Sequence, residues 1–190
     1  MHLTEKMSWM REPREFSIEP ERITITTEPH TDLWQRTYYH FRNDNAPVLQ
    51  METAERFFSF IVKTDFRESY HRFDQCGIVM YLDAENWLKA SVEYENGSFQ
   101  HLGSVVTNHG WSDWATTAIP ADVKSMWYRL SRREDDYCIE CSLDGRDFSL
   151  MAPIRTRLSA AFFGAFCLVL LALRQQGFVV RNKNPSKNSR

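Results

Sequence analysis

This sequence contains little glycine, has no excess of positive charge and has no apolar run long enough to span a membrane as a helix. The chain has 190 residues, of which 7 are glycine, and its formal net charge is -2. Without a basic excess, a nucleic-acid partner is not expected. The longest apolar run, 160–173, has 14 residues, whereas a membrane-spanning helix needs about 20.

Motifs for redox, metal and cofactor chemistry are also missing. The chain opens MHLTEK without an apolar run, so we expect no secretory signal, a cytoplasmic location, and free thiols at Cys76, Cys138, Cys141 and Cys167. Cys138 and Cys141 lie three apart in strand-like sequence, which places them on opposite faces. No second such pair completes a zinc site. The histidines are scattered, and no Gly-x-Ser-x-Gly, phosphate-loop or dinucleotide motif occurs, so we expect no metal and no cofactor.

What the sequence does contain is aromatic, alternating segments separated by polar turns. Aromatic residues make up 14% of the chain, and periodicity of the helical kind is scarce before residue 120. Short strands with turns at DAEN and ENGS are typical of an all-β sandwich. We therefore predict a lead-in at 1–20 and a sandwich domain at 21–152. Strands are expected within 22–27, 56–66, 74–108, 126–135 and 137–151, and a polar aromatic loop at 109–120.

The segment WLKASVEYENG, residues 87–97, places polar side chains on one face of a predicted strand. Lys89 and Glu93 share that face about 13 Å apart, too far for an ion pair, so neighbouring strands must supply their partners. Gln75 and Tyr81 share one parity on the preceding strand. The face is either an ordinary solvated surface or a groove lined by these four residues and capped by Trp87 or Trp114.

Two other sets of residues are candidates for chemistry. Glu93 and Glu95 face the same way about 7 Å apart at the backbone, near the spacing of a glycosidase pair, although Glu95 lies at a turn. In the predicted loop, Trp111 and Trp114 are placed to stack on a sugar ring and Asp113 to accept from its hydroxyls. Alternatively, Trp114 anchors the loop in the core and Asp113 caps a turn.

The stretches TDLWQRTYY, FDQCGIVMYLDAENWLKASVEYENG and SVVTNHGWSDWAT resemble the DUF1349 family, part of the concanavalin A-like lectin/glucanase superfamily, over about residues 8–150. Some members are labelled regulation of enolase. The resemblance implies a jelly-roll sandwich of two antiparallel sheets, with a ligand groove on the concave sheet. It matches the family pattern at Asp32, Trp34, Thr37, Asp74, Gln75, Gly77, Trp87, Lys89, Glu93, Val106, Thr107, Ser112, Asp113 and Trp114.

The end of the chain, 153–190, departs from the family pattern. AFFGAFC suits the family's penultimate strand and QQGFVVR its last, but LVLLAL stands where a Ser-Pro turn is expected. We expect residues 159–173 to supply one strand ending near Cys167, with irregular structure after it. A helix over 160–174, a membrane anchor and a disturbed reading frame are the alternatives.

Three functions stay open. The first is a non-catalytic module that binds a carbohydrate or another small polar ligand through Gln75, Tyr81, Trp87, Lys89, Glu93, Asp113 and Trp114. The second is a glycoside hydrolase or lyase that uses Glu93, which leaves enzymatic activity undecided. The third is a protein-interaction module that regulates a cytoplasmic enzyme.

Overall fold

The computed structural model describes residues 3–155, 166–172 and 176–181. A 3-10 helix, Leu3–Lys6, precedes the strands. Within the described residues the strands are β1 (Ser8–Arg11), β2 (Glu15–Ile18), β3 (Ile23–Thr26), β4 (Leu33–Gln35), β5 (Arg42–Asp44), β6 (Val48–Thr53), β7 (Phe57–Asp65), β8 (Gln75–Asp83), β9 (Asn86–Tyr94), β10 (Phe99–Asn108), β11 (Trp111–Pro120), β12 (Ser125–Arg133), β13 (Asp136–Ser142), β14 (Ser149–Arg155), β15 (Phe166–Ala172) and β16 (Gln176–Arg181).

The strands form two seven-stranded sheets and a small two-stranded one. Sheet A has the order β1-β6-β15-β8-β9-β10-β11, and sheet B has the order β14-β13-β12-β7-β16-β3-β2. The third sheet joins β4 to β5. Every pairing among the described strands is antiparallel. This is the all-β jelly-roll sandwich that the sequence predicts.

Alternation along β8 and β9 decides which residues enter the main core. Side chains such as Ile78, Met80, Leu88 and Val92 are buried against sheet B, where Tyr128 is fully buried. Successive side chains of a strand point to opposite faces, so the odd-numbered residues of β8 and β9 lie on the other side of sheet A. We call that side the outer face.

Residues 32–46, which include β4 and β5, fold over part of the outer face; we call them the cover segment. Leu33 and Trp34 are buried in a second apolar cluster with Val79, Trp87 and Val105 of sheet A. The cover segment therefore shields one end of the outer face. The part of that face that the cover segment leaves open is where a ligand can bind.

Two predictions about the strands were wrong. Residues 109–120 are not a loop, because β11 pairs with β10 from Trp111↔Asn108 to Pro120↔Phe99. Residues 1–20 are not only a lead-in, because β1 adds to sheet A and β2 to sheet B. All three strands lie at sheet edges. β1 and β2 have four residues each, and β11 does not alternate between polar and apolar residues, so the alternation that marks a strand is short or missing.

The C-terminal part contributes a strand to each sheet. β15 lies between β6 and β8, and β16 lies between β3 and β7. The expected strand end near Cys167 was wrong, since β15 continues to Ala172. Continuous apolar sequence is typical of strands inside a sheet covered on both faces. Residues 159–165 and 173 of that prediction, and the basic tail 182–190, lie outside the described residues. In the described part of the chain, no helix has the length and apolar character to cross a bilayer.

Candidate functional site

Strand register brings the candidate site together on the outer face of sheet A. Glu93 on β9 lies opposite Gln75 on β8 and His101 on β10. Two residues earlier, Ser91 lies opposite Gly77 and Gly103. A row of small residues therefore separates the Glu93 row from the row of Lys89, leaving a low floor between taller side chains.

Lys89 is a buried cation whose partners are all polar groups of the site. Its side chain is 5% exposed, and its Nζ donates to Asp32 Oδ1 at 3.0 Å and to Gln75 Oε1 at 3.2 Å. Ser91 Oγ also donates to Gln75 Oε1, at 3.1 Å. A buried ammonium is tolerated only when it is paired and hydrogen-bonded, and Asp32 and Gln75 supply these partners to Lys89. Lys89 and Ser91 are thus not on a solvated surface.

Asp32 reaches this cluster from the start of the cover segment. Its Oδ1 also accepts from Gln75 Nε2 at 3.2 Å and from the Leu33 amide at 2.7 Å. The side chain of Asn45 accepts from the Asp32 amide at 2.9 Å and donates to the His30 carbonyl. The cover segment is therefore fastened at the position where Asp32 meets Lys89.

Glu93 is the carboxyl of the site with the most unusual acidity. Its pKa is raised to about 7, chiefly by burial and also by the negative charges of Asp32 and Glu95, while the positive charges of Lys89 and Arg72 lower it. No described residue donates a hydrogen bond to this carboxyl. A carboxyl whose pKa lies near neutral pH can act as a hydrogen-bond donor or acceptor, and such a shifted pKa is common in functional sites.

Trp114 lies on the outer face of sheet A, next to His101 and Gly103 of β10. A methyl group on Gly103 would come within 2.6 Å of Trp114 Nε1, so the indole rests against the bare backbone of that glycine. The His101 ring meets the indole edge-on at 5.7 Å between centroids. Trp114 is 38% exposed, and an aromatic ring with an open face suits stacking on a sugar.

At the edge of the area that the cover segment shields, four residues keep partly exposed side chains: Asp32, Glu93, His101 and Trp114. We call these four residues the open end. Ser91 and Gly103 are buried beneath it and form its floor. Of the predicted site residues, Glu93 and Trp114 belong to the open end, and Gln75 and Lys89 belong to the hydrogen-bonded cluster beneath it.

The other three predicted site residues lie elsewhere. Trp87 is 3% exposed in the second apolar cluster, with the Lys89 ammonium 6.0 Å from its ring centroid, so it does not cap a groove. Tyr81 is buried at the covered end, where it donates to Asp44 at 2.8 Å; burial and that bond raise its pKa to about 12. Asp113 alternates with Trp114 on β11 and so faces the opposite side of sheet A.

Glu95 does not form a free carboxyl pair with Glu93. It forms an ion pair with Arg72 at 2.9 Å and lies 3.8 Å from His101 Nε2. In the part of the chain that the structure describes, no group of three or more His, Cys, Asp or Glu side chains is arranged to hold a metal ion.

Reasoning from the sequence missed Asp32, His101 and Gly103 as parts of the site. Asp32 stood within the family pattern, so its match was the available signal. His101 and Gly103 follow from the strand register, since each is set opposite a β9 residue by the ENGS turn. In that turn, Asn96 Oδ1 accepts from the amides of Ser98 and Phe99.

The fold and the open end define a jelly-roll β-sandwich with a polar cluster on one outer sheet face. The chain belongs to the family described as "Protein of unknown function (DUF1349)", whose model matches residues 9–181. The resemblance seen in the sequence is confirmed. The match also extends past residue 150 to include the two C-terminal strands.

Relatives share both sequence and architecture with this chain. Regulation of enolase protein 1 of Saccharomyces cerevisiae is 32% identical over 152 residues, which cover 78% of this chain and 74% of the relative. The crystal structure of a functionally unknown S. cerevisiae protein has a TM-score of 0.82 at 26% identity, covering 93% of this chain and 94% of that one. The GH43 protein BlXynB of Bacillus licheniformis has a TM-score of 0.66 at 15% identity over 93% of this chain and 37% of its own, a likeness of fold alone.

Proposed function

We propose that the chain is a non-catalytic binding module for a carbohydrate or a similar polyhydroxylated ligand, and that the ligand binds at the open end. The single observation that carries the proposal is the arrangement of Trp114 over Gly103 and against His101, whose neighbour across the sheet is Glu93. It sets an exposed aromatic ring next to a hydrogen-bonding group above a floor of small residues. Sugars present a C–H face and a rim of hydroxyls, and this combination matches both.

The polar cluster beneath supports the same proposal by holding the site rigid. Asp32, Gln75 and Lys89 are joined by hydrogen bonds of 3.0–3.2 Å, so their geometry is set before a ligand arrives. Preorganised polar groups lower the cost of binding because few side chains must be ordered on association.

A titration of matched tryptophan variants tests this proposal. A panel of neutral methyl glycosides and short oligosaccharides is first screened by thermal shift and then titrated calorimetrically. For any sugar that binds, Trp114→Ala is expected to weaken affinity at least about tenfold, as for an aromatic anchor at the centre of an interface. Trp111→Ala is the control, because Trp111 is also exposed but contacts Arg36 rather than the open end. No sugar binding at millimolar concentration, or an equal loss in both variants, would reject the proposal.

The acidity of Glu93 favours a second candidate, a glycoside hydrolase or lyase. A carboxyl with a pKa of about 7 is suited to protonate a leaving group near neutral pH. Against it, Glu95 is held by Arg72, which leaves that carboxylate poorly placed to be the second catalytic group. Hydrolysis of chromogenic glycosides that is lost in Glu93→Gln would support this candidate.

The name of the yeast relative favours a third candidate, a module that regulates an enzyme by binding it. A purified-protein pull-down with enolase, compared between the wild-type chain and Trp114→Ala, separates this candidate from the first. Binding of enolase without any sugar response would favour regulation.

A further inference from the structure

The donors and acceptors of the cluster can be counted group by group. Both ends of the Gln75 amide are used, since Nε2 donates to Asp32 and Oε1 accepts from Lys89 and Ser91. The Lys89 ammonium is neutralised by Asp32 at 3.0 Å. The donors of the site are therefore largely occupied within the protein.

The groups left for a ligand are mostly acceptors. Every contact to the Asp32 carboxylate goes to Oδ1, and its side chain is 26% exposed, so Oδ2 can still accept. The Glu93 carboxyl receives no hydrogen bond from a described residue. Among the described residues, the donors left beside these acceptors are the indole N–H of Trp114 and the ring N–H of His101.

Charge points the same way as the count of donors. The site has three carboxyl groups, those of Asp32, Glu93 and Glu95, and two cations, Lys89 and Arg72. Both cations are already paired with carboxylates. An acid group brought to the open end meets negative charge, while the basic groups described there, Lys89, Arg72 and His101, each already face a carboxylate. Like charges brought together in an interface weaken binding strongly.

We infer that the open end selects an uncharged polyhydroxyl ligand, rich in hydrogen-bond donors, and discriminates against sugars that carry a carboxylate or a phosphate. The inference rests on the proposed function and names its ligand class. Hydroxyls of the ligand donate to Glu93 and to Asp32 Oδ2, and the ring lies against Trp114.

Pairs of sugars that differ only in one acid group test this selectivity. Dissociation constants are measured by amide chemical shifts at pH 7.5 for methyl glucoside against methyl glucuronide, and for the matching galacto and manno pairs. For whichever ring binds, the neutral member is expected to bind at least about tenfold more tightly than the acidic member. A phosphorylated sugar of the same ring is expected to behave as the acidic member does.

Two variants place the selectivity at Glu93. Glu93→Gln removes one negative charge and is expected to shrink the ratio of neutral to acidic affinity. Asp113→Asn makes the same charge change on the opposite face and is expected to leave the ratio as in the wild-type chain. A dispersed amide spectrum confirms that each variant is folded.

The failures of the inference and of the proposed function are distinct. If acidic sugars bind as tightly as their neutral partners, or if Asp113→Asn alters the ratio as much as Glu93→Gln, the inference is overturned while a sugar-binding function stands. If no sugar of either kind shifts an amide signal, the proposed function is rejected and the inference with it.

Discussion

Lys89 and Asp32 form an ion pair of unequal burial, with side chains 5% and 26% exposed. Removing the Asp32 carboxylate leaves the buried Lys89 ammonium without its counter-charge. Removing the Lys89 ammonium leaves a carboxylate that water can solvate. Asp32→Ala is therefore expected to lower the free energy of unfolding by about 3 kcal/mol. Lys89→Met is expected to cost less.

A double-mutant cycle measured by urea unfolding checks this asymmetry. The double variant Asp32→Ala/Lys89→Met is expected to be more stable than Asp32→Ala alone, because no buried cation then lacks its carboxylate. Additive losses across the cycle would show that the pair does not set the stability of this end of the sheet.

Glu93 makes stability depend on pH in a defined window. Burial raises its pKa from an ordinary value of 4.5 to about 7. Between these values the folded chain retains a proton that the unfolded chain releases, so this group lowers the free energy of unfolding as pH rises. Glu93→Gln removes that contribution. The free energy of unfolding of the variant, minus that of the wild-type chain, should grow by up to about 3 kcal/mol from pH 4 to pH 8.

Urea unfolding of both proteins across that range is the measurement. A stability difference that is constant with pH would mean that the carboxyl is not held near neutrality by its surroundings.

At the residue scale, the sequence identified polar positions better than their burial. Alternation placed Gln75, Lys89 and Glu93 on one face correctly. It could not show that the cover segment buries Trp87 and Tyr81, because that contact joins residues far apart in the chain. The same long-range contact brings Asp32 to Lys89.

At the scale of elements, the C-terminal strands are the part of the fold that local sequence described least well. β15 and β16 each have a strand neighbour on both sides. A chain ending at Arg155 loses both, which would leave a gap in the middle of each sheet. We expect it to show no cooperative thermal transition.

A second chain ending at Arg181 is the matched control, since it keeps every described strand. We expect it to melt as the full chain does. If the chain ending at Arg155 melts at the same temperature as the control, β15 and β16 are not integral to the sheets.

The consecutive strands β7 to β10 were predicted best, because their alternation and the turns between them reinforce each other. β7, β8, β9 and β10 lie where alternating apolar residues and the DAEN and ENGS turns indicate. The sequence predicts a loop in place of the edge strand β11, because its residues do not alternate between apolar and polar, and most of them are exposed. This miss matters for the site, since β11 carries Trp114 onto the outer face and Asp113 away from it.

For the whole molecule, the family resemblance and the strand pattern both predict the sandwich that the structure has. The position of the site depends on a feature that neither predicts, which is the extent of the cover segment. Where that segment lies over sheet A, the outer face is a second core. Where it stops, the same face offers Asp32, Glu93, His101 and Trp114 to a ligand.

The binding of a neutral sugar at the open end is tested by following the indole N–H signals of the six tryptophans in a two-dimensional NMR titration with neutral methyl glycosides. Substitution of each tryptophan in turn assigns the signals. We expect a sugar bound at the open end to move the signal of Trp114, while those of the buried Trp87 and of Trp111 stay in place. No movement at millimolar sugar, or movement of the Trp111 signal without that of Trp114, would contradict this expectation.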